Sequence, residues 1–274
     1  MFRSNTVYFS LFLYIQYYIH MIKYILNIVL LLVFGISGAQ AQFTDVNTLR
    51  SYQMSMPRVI SAYTKYDNAL RNEFKSKGLE YPASNIYLRS FKAQNELEVW
   101  VKNKNADTFT LFKKYKVCAL SGVLGPKRAE GDRQVPEGLY FLADFNPKSD
   151  FYLSMLVNYP NYADQILSHR EKPGGDIYVH GGCLTVGCIP MTDEGIQEIY
   201  TLCLTTRLNG QVNIPYHIFP TRFDKAGLNF LGREYRHEVD KQKFWVNLKS
   251  AYDYFERNRK ILPVMYDDKG GYVF

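Results

Sequence analysis

The chain has 274 residues, 47% of them hydrophobic and 16% aromatic, which excludes a disordered chain and supplies a packed core. Its 33 basic and 26 acidic residues give a charge of +7. These charges are scattered and accompany no nucleic-acid motif, so nucleic acid is not an indicated partner, and the excess suits an anionic surface without naming one.

Read in chain order, the N-terminus comes first. From Met21 the chain runs through Lys23, an apolar stretch Ile25 to Phe34 interrupted by Asn27, and then Ala39-Gln40-Ala41. A basic start, a short apolar run and an A-x-A site describe a secretory signal peptide, with cleavage expected before Gln42. Residues 1–20 add a second apolar stretch. It is read either as sequence upstream of a true start at Met21 or as part of an uncleaved membrane segment. Both readings place the rest of the chain outside the cytoplasm, in the periplasm or cell envelope, with membrane contact only through residues 1–41.

A helix is predicted from Pro57, with Val59, Tyr63, Tyr66, Leu70 and Phe74 at three- and four-residue steps and Gly78 as its stop. Strands are predicted at Ile86–Arg89 and around Leu97, Val99 and Val101, with Glu98, Trp100 and Lys102 on the other face. Asn105-Ala106-Asp107 reads as the turn into a strand from Thr108 to Tyr115, and the apolar segment Tyr115 to Leu124 as a central strand. Residues 125–138, rich in Gly, Pro and charge, read as a long loop. Further strands are expected at Tyr140–Ala143, Phe151–Val157, Asp176–His180 and Val212–Phe219. A helix between the last two has Thr192 as N-cap and buries Ile196, Ile199, Tyr200 and Cys203. A last helix spans Lys243–Arg257, with Phe244, Leu248, Tyr252 and Phe255 on one face.

The chemistry converges on Asp176-Ile-Tyr-Val-His180-Gly-Gly-Cys183-Leu-Thr-Val-Gly187-Cys188-Ile-Pro-Met-Thr192. A short strand delivers His180, and a glycine-rich turn of seven residues delivers Cys188 just before a helix. A turn of that length lets imidazole and thiol meet across its neck, as a cysteine nucleophile and its base require. A neighbouring imidazole favours the thiolate. The N–H groups of Gly187 and Cys188 are candidates for an oxyanion hole.

At these residues the chain resembles the L,D-transpeptidase catalytic domain family, also called YkuD-type. The resemblance rests on Val179-His180-Gly181 with Gly187-Cys188, and on an upstream loop containing Ser121-Gly122, Gly125-Pro126-Lys127, Gly131-Asp132 and Pro136-Glu137-Gly138-Leu139-Tyr140. Tyr159-Pro160-Asn161 followed by Asp164 also matches, and residues 84–220 are covered in all. The chain departs from the commonest family pattern in its short insert between histidine and cysteine. A second histidine before the cysteine is missing, and Ile189-Pro190-Met191 follows it where Arg or Asn is common. These features resemble a divergent short-loop branch that includes enzymes cutting wall attachments as well as enzymes making them.

The resemblance implies a mainly β, sandwich-like catalytic domain with flanking helices, α+β overall. With the flanks read from the residues above, the chain divides into residues 1–41 as signal peptide or membrane segment, 42–83 as an N-terminal helical segment, 84–222 as the catalytic domain the resemblance implies and 223–274 as a C-terminal helical extension. The resemblance further implies that Cys188 attacks a carbonyl in a peptidoglycan peptide stem to form a thioester. His180 moves the proton, and the Gly181 carbonyl orients His180. The thioester then passes to an amine, whether of another stem or of a wall-linked lipoprotein, or to water in a peptidoglycan hydrolase. A wall-binding module without catalysis is a third alternative. Lys127, Asp132, Glu137 and Tyr159 are candidate substrate contacts, although an ordinary solvated loop accounts equally for the first three. No cofactor is implied.

Bland readings apply to the remaining residues. Cys118 and Cys203 read as core, and Cys183 as a turn residue, free or bonded to another cysteine, or as a rival nucleophile. A zinc site from His180, Cys183 and Cys188 lacks a matching spacing and would need His169 or His217 as a fourth ligand, so no metal is assigned. His217 reads as a core or rim histidine, and His169 and His237 as exposed.

Overall fold

In a computed structural model, the structure describes Met21, Ile22 and residues 45–274. The signal-peptide reading and the candidate cleavage site before Gln42 lie outside the described residues. Among the described residues no helix is long and apolar enough to cross a membrane. The chain divides into two compact units, residues 1–49 and 50–274. Helix α1 (Val46–Met54) crosses that division, and all that follows concerns the second unit.

Helix α2 (Pro57–Ser76) starts with proline in its first turn and buries Val59, Ala62, Leu70 and Phe74. The strands are β1 (Asn85–Phe91), β2 (Glu96–Lys102), β3 (Thr110–Lys116), β4 (Gly138–Asn146), β5 (Ser154–Val157), β6 (Tyr178–His180), β7 (Ile189–Pro190) and β8 (Ile214–Phe219). They form one eight-stranded sheet in the order β3-β2-β1-β8-β4-β5-β6-β7, parallel at β1–β8 and β6–β7 and antiparallel elsewhere. The helices within it are α3 (Tyr162–Leu167) and α4 (Thr192–Leu208), and α5 (Lys225–Glu234) and α6 (Val239–Asn258) follow. A small hairpin, β9 (Met265–Tyr266) and β10 (Tyr272–Val273), ends the fold. The class is α+β, as expected.

Both faces of the sheet are covered. Alternate residues of β1 meet α6: Tyr87 packs on Phe255 and Phe91 on Tyr252. Arg89, 1% exposed, bridges Glu98 of β2 at 2.6 Å and Glu256 of α6 at 2.7 Å. Glu98 and Trp100, on the face opposite Leu97, Val99 and Val101, are buried as well, because α6 roofs that face. On the other face α4 packs against α2 and lies on β1, β5 and β6.

One strand expectation fails. Tyr115–Leu124 is not a central strand: β3 stops at Lys116 and is the edge of the sheet. Beyond it the chain leaves the sheet as loop, with Val117 N–H donating to Asn95 O and Cys118 N–H to Pro190 O. The apolar character of that run reflects a loop pressed onto the fold. Its far end is held by Lys92, whose ammonium, 5% exposed, donates to the carbonyls of Val123, Gly125 and Val135 at 2.9–3.1 Å and pairs with Glu137 at 3.0 Å.

Candidate active site

Strands β6 and β7 are parallel, with Val179 opposite Ile189 and His180 opposite Pro190. Val179 and Ile189 are fully buried in the core. Side chains alternate along a strand, so His180 and, one residue before Ile189, Cys188 share the opposite face. The residues between them form the turn. Gly181 is required there by space: a Cβ would lie 2.7 Å from both Asp193 Oδ1 and the Phe151 carbonyl oxygen. Gly187 adopts φ +128°, which L side chains rarely reach, with Gln134 O already close.

His180 is 1% exposed, and its ring lies against Phe151 with centroids 4.6 Å apart. Its Nδ1–H donates to the Gly181 carbonyl at 2.5 Å. A carbonyl only accepts, so this contact places the proton on Nδ1 and leaves Nε2 as a proton acceptor. Cys188 is half-buried. Its Sγ accepts from Tyr178 N–H at 3.4 Å and lies 3.4 Å from the Asp176 carbonyl oxygen. Both side chains line one pocket of about 450 Å³ that also exposes Lys127, Phe151, Asp176, Leu184 and Val186.

Burial sets the protonation of the pair. It lowers the His180 pKa, with the Gly181 hydrogen bond opposing, so the ring is neutral at pH 7. It raises the Cys188 thiol, with the Asp176 carboxylate adding and the Tyr178 N–H and Lys127 opposing. At pH 7 the pocket therefore holds a thiol and a neutral imidazole rather than a standing thiolate.

The turn is stapled. Cys183 is bonded to Cys118, with Cα atoms 5.6 Å apart, which leaves Cys188 as the free thiol of the turn. Cys118, expected as core in a strand, is instead half-buried in the loop after β3. Cys203 is free and buried on α4, as expected, its thiol pushed up by burial. Thr185 Oγ1 donates to the Cys188 carbonyl at 2.8 Å and accepts from Gly187 N–H at 3.3 Å.

The candidate contact residues separate. Lys127 lines the pocket, but its ammonium is held by Asp132 at 2.6 Å and Ala129 O at 2.8 Å. Asp132 accepts from the backbone N–H groups of Arg128, Ala129 and Gln134 and organises the loop. Glu137 is fully buried, spent on Lys92, Gly125 N–H and Trp245 Nε1. Tyr159 is 5% exposed, its hydroxyl donating to Pro173 O at 2.9 Å. Asn161 and Asp164 form a capping box at the start of α3. His217 is buried and paired with the Tyr87 hydroxyl at 2.7 Å. His169 and His237 are exposed. Among the described residues no His, Cys, Asp and Glu cluster is arranged to hold a metal ion.

Sequence reasoning missed Phe151 and Asp193. Asp193 Oδ1 accepts from Gly182 N–H at 2.9 Å. Neither carried a local signal: an acid in the first turn of a helix and an aromatic beside a strand are both commonplace.

The family described as "L,D-transpeptidase catalytic domain" (YkuD) matches residues 87–214. The chain is 34% identical over 191 residues to YafK of Escherichia coli (strain K12), a protein with a provisional L,D-transpeptidase name; the match covers 69% of this chain and 72% of that one. Among solved structures, the helical cell shape determining protein Pgp2 from Campylobacter jejuni is similar with a TM-score of 0.40 and 18% identity, over 72% of this chain and 80% of that one. A mutant form of Pgp2 aligns with a TM-score of 0.40 and 20% identity, over 51% of this chain and 49% of that one, so the chain spans about half its length. Bd1075 of Bdellovibrio bacteriovorus is similar with a TM-score of 0.37 and 22% identity, over 69% of this chain and 65% of that one.

Proposed function

The chain belongs to the L,D-transpeptidase catalytic domain family, and on that premise we propose that it is an exported cysteine L,D-transpeptidase acting on peptidoglycan peptide stems through Cys188. The observation that carries this reading is the shared pocket. It contains both a free thiol and an imidazole whose Nδ1–H is tied to Gly181, leaving Nε2 to accept a proton.

Cys188 Sγ attacks the carbonyl of the L-centre of a diamino acid in the stem as its proton passes to His180 Nε2. The oxyanion is held by the N–H groups of Gly187 and Cys188. The first of these surrenders a long 3.3 Å bond to Thr185 on doing so, and one such donor stabilises a transition state by about 3–4 kcal/mol. Collapse expels the D-amino acid amine, which takes the proton from His180, and leaves a thioester on Cys188. An acceptor amine, from a second stem or a wall-linked lipoprotein, then attacks, gives its proton to His180 and releases the thiol. Residues 84–222 carry the chemistry, and 223–274 buttress the sheet.

Incubating the protein with tetrapeptide muropeptides and with protein-linked wall fragments, beside Cys188→Ala, tests this by mass spectrometry. Loss of the terminal D-alanine with new dimers or new protein-linked stems, absent in the variant, is the expected result. Tripeptides or freed protein without dimers would make water the acceptor and the protein a hydrolase. Unchanged substrate would remove the catalytic reading.

A further inference from the structure

The peptide unit joining Gly181 to Gly182 is hydrogen-bonded at both ends. Its carbonyl accepts from His180 Nδ1 at 2.5 Å, and its N–H donates to Asp193 Oδ1 at 2.9 Å. A trans peptide is a rigid plane whose C=O and N–H point in opposite directions, so holding one end aims the other. Hydrogen bonds in series also polarise one another. Carboxylate, peptide and imidazole thus form one line ending on the ring of the proposed base.

The approach of Asp193 to this peptide is built into the backbone. Met191 N–H donates to His180 O at 2.8 Å and Thr192 N–H to Gly182 O at 3.2 Å, lashing the start of α4 to the turn. Thr192 stands at φ +62°, an outlier for a β-branched residue. That bend is what carries the chain from β7 into α4 with Asp193 against the turn. Gly181 leaves the space, since a Cβ there would meet Asp193 Oδ1 at 2.7 Å. An acid that serves only its helix bonds N–H groups of its own first turn, whereas this oxygen reaches a residue eleven positions back.

We propose that Asp193 is the positioning residue of His180, acting through the Gly181–Gly182 peptide to hold Nδ1 protonated and Nε2 free for the Cys188 proton. The inference rests on the reading of His180 as the base of Cys188. It places the third member of the constellation one peptide away from the ring rather than in contact with it.

The test uses the full chain with Asp193→Ala and Asp193→Asn, beside His180→Ala. The ¹⁵N shifts of the His180 ring report which nitrogen bears the proton. The rate of Cys188 alkylation by iodoacetamide reports base assistance without any wall substrate. In Asp193→Ala the Nδ1–H form is expected to give way to a tautomer mixture. Alkylation should fall about tenfold or more toward the His180→Ala rate, the scale of substitutions one shell behind a reacting group. Asparagine keeps an acceptor at Oδ1 and is expected to restore the tautomer and most of the rate. If Asp193→Ala does not fold, Asp193→Ser, which suits a helix start but cannot reach the turn, takes its place. A wild-type ring spectrum and alkylation rate in the folded variant would overturn the proposal. So would equal losses in Ala and Asn accompanied by an equal drop in melting temperature. Alkylation unaffected by His180→Ala would instead remove His180 as the base, and the ring spectrum would still decide the role of Asp193.

Discussion

At the scale of single residues, Gly181 carries three demands at once. Its carbonyl accepts from His180 Nδ1–H, its N–H donates to Phe151 O at 3.0 Å, and its missing Cβ admits both Asp193 and the Phe151 carbonyl. The neighbours at 2.7 Å are a backbone oxygen and a carboxylate oxygen held by a hydrogen bond, and neither can yield without moving the turn. Gly181→Ala is therefore expected to lower stability by about 1–3 kcal/mol, as overpacking does. The proposed acyl transfer should fall by about a hundredfold, because a shift of order 1 Å at the proposed base is enough. Urea denaturation read beside turnover checks both. Near-normal turnover in a destabilised variant would mean that the turn relaxes without disturbing His180.

At the scale of elements, the loop that walls the pocket depends on a buried ion pair beneath it. Lys92 and Glu137 are 5% and 0% exposed, and between them they bond Val123, Gly125 and Val135 of the loop and Trp245 of α6. Removing one partner of such a pair leaves a buried charge unmatched, at a cost of about 3–5 kcal/mol. Lys92→Met is expected to lose that much in urea unfolding, and Lys92→Met with Glu137→Gln to lose less. A double variant no more stable than the single one would show that Glu137 is satisfied by its N–H donors alone. The same loop marks the limit of what the sequence displays. The His180 and Cys188 positions, the long loop, α2 and α6 were legible because local periodicity or glycine spacing marks them. The run from Tyr115 to Leu124 misled, because a hydrophobic stretch states that it is covered and not that it pairs with a strand. The burial of Glu98 and Trp100 was not legible for a related reason: the roof over β2 comes from α6, some 150 residues away, and no window along the chain contains both. Asp193 and the Cys118–Cys183 bond depend likewise on how β7 and the post-β3 loop come together.

Over the whole molecule, two buried groups of opposite sign pull on acid stability between neutral pH and pH 4. Burial, with Arg89 adding, pushes His217 from 6.5 down to about 3. Its folded pKa lies below the unfolded one, so its contribution is complete above pH 6.5 and is lost as pH falls toward 3. By pH 4 that loss is about 3 kcal/mol, one proton over two to three pH units. Asp164, 2% exposed, is pushed the other way, from 3.8 up to about 6, by burial that outweighs the Tyr140 hydroxyl and Arg128. Its contribution is complete below pH 3.8 and is lost as pH rises through 6, a swing of about 3 kcal/mol. Between pH 6.5 and 4 these two nearly cancel, and His180, also lowered by burial, adds to the loss, so the wild-type urea midpoint is expected to fall only gently. At lower pH still, the contribution of Glu98, which Arg89 draws down to about 2 against the cost of burial, is lost as pH falls from 4.5 toward 2, and stability falls with it. His217→Gln keeps a polar partner for the Tyr87 hydroxyl but cannot titrate, so relative to the wild type its midpoint should rise on going from pH 6.5 to 4. Asp164→Asn removes the opposing group, and its midpoint should fall over the same interval. Only the slopes are compared, so a constant loss from either substitution does not affect the result. Parallel slopes in the two variants would mean that neither group keeps its perturbed proton affinity in the folded protein.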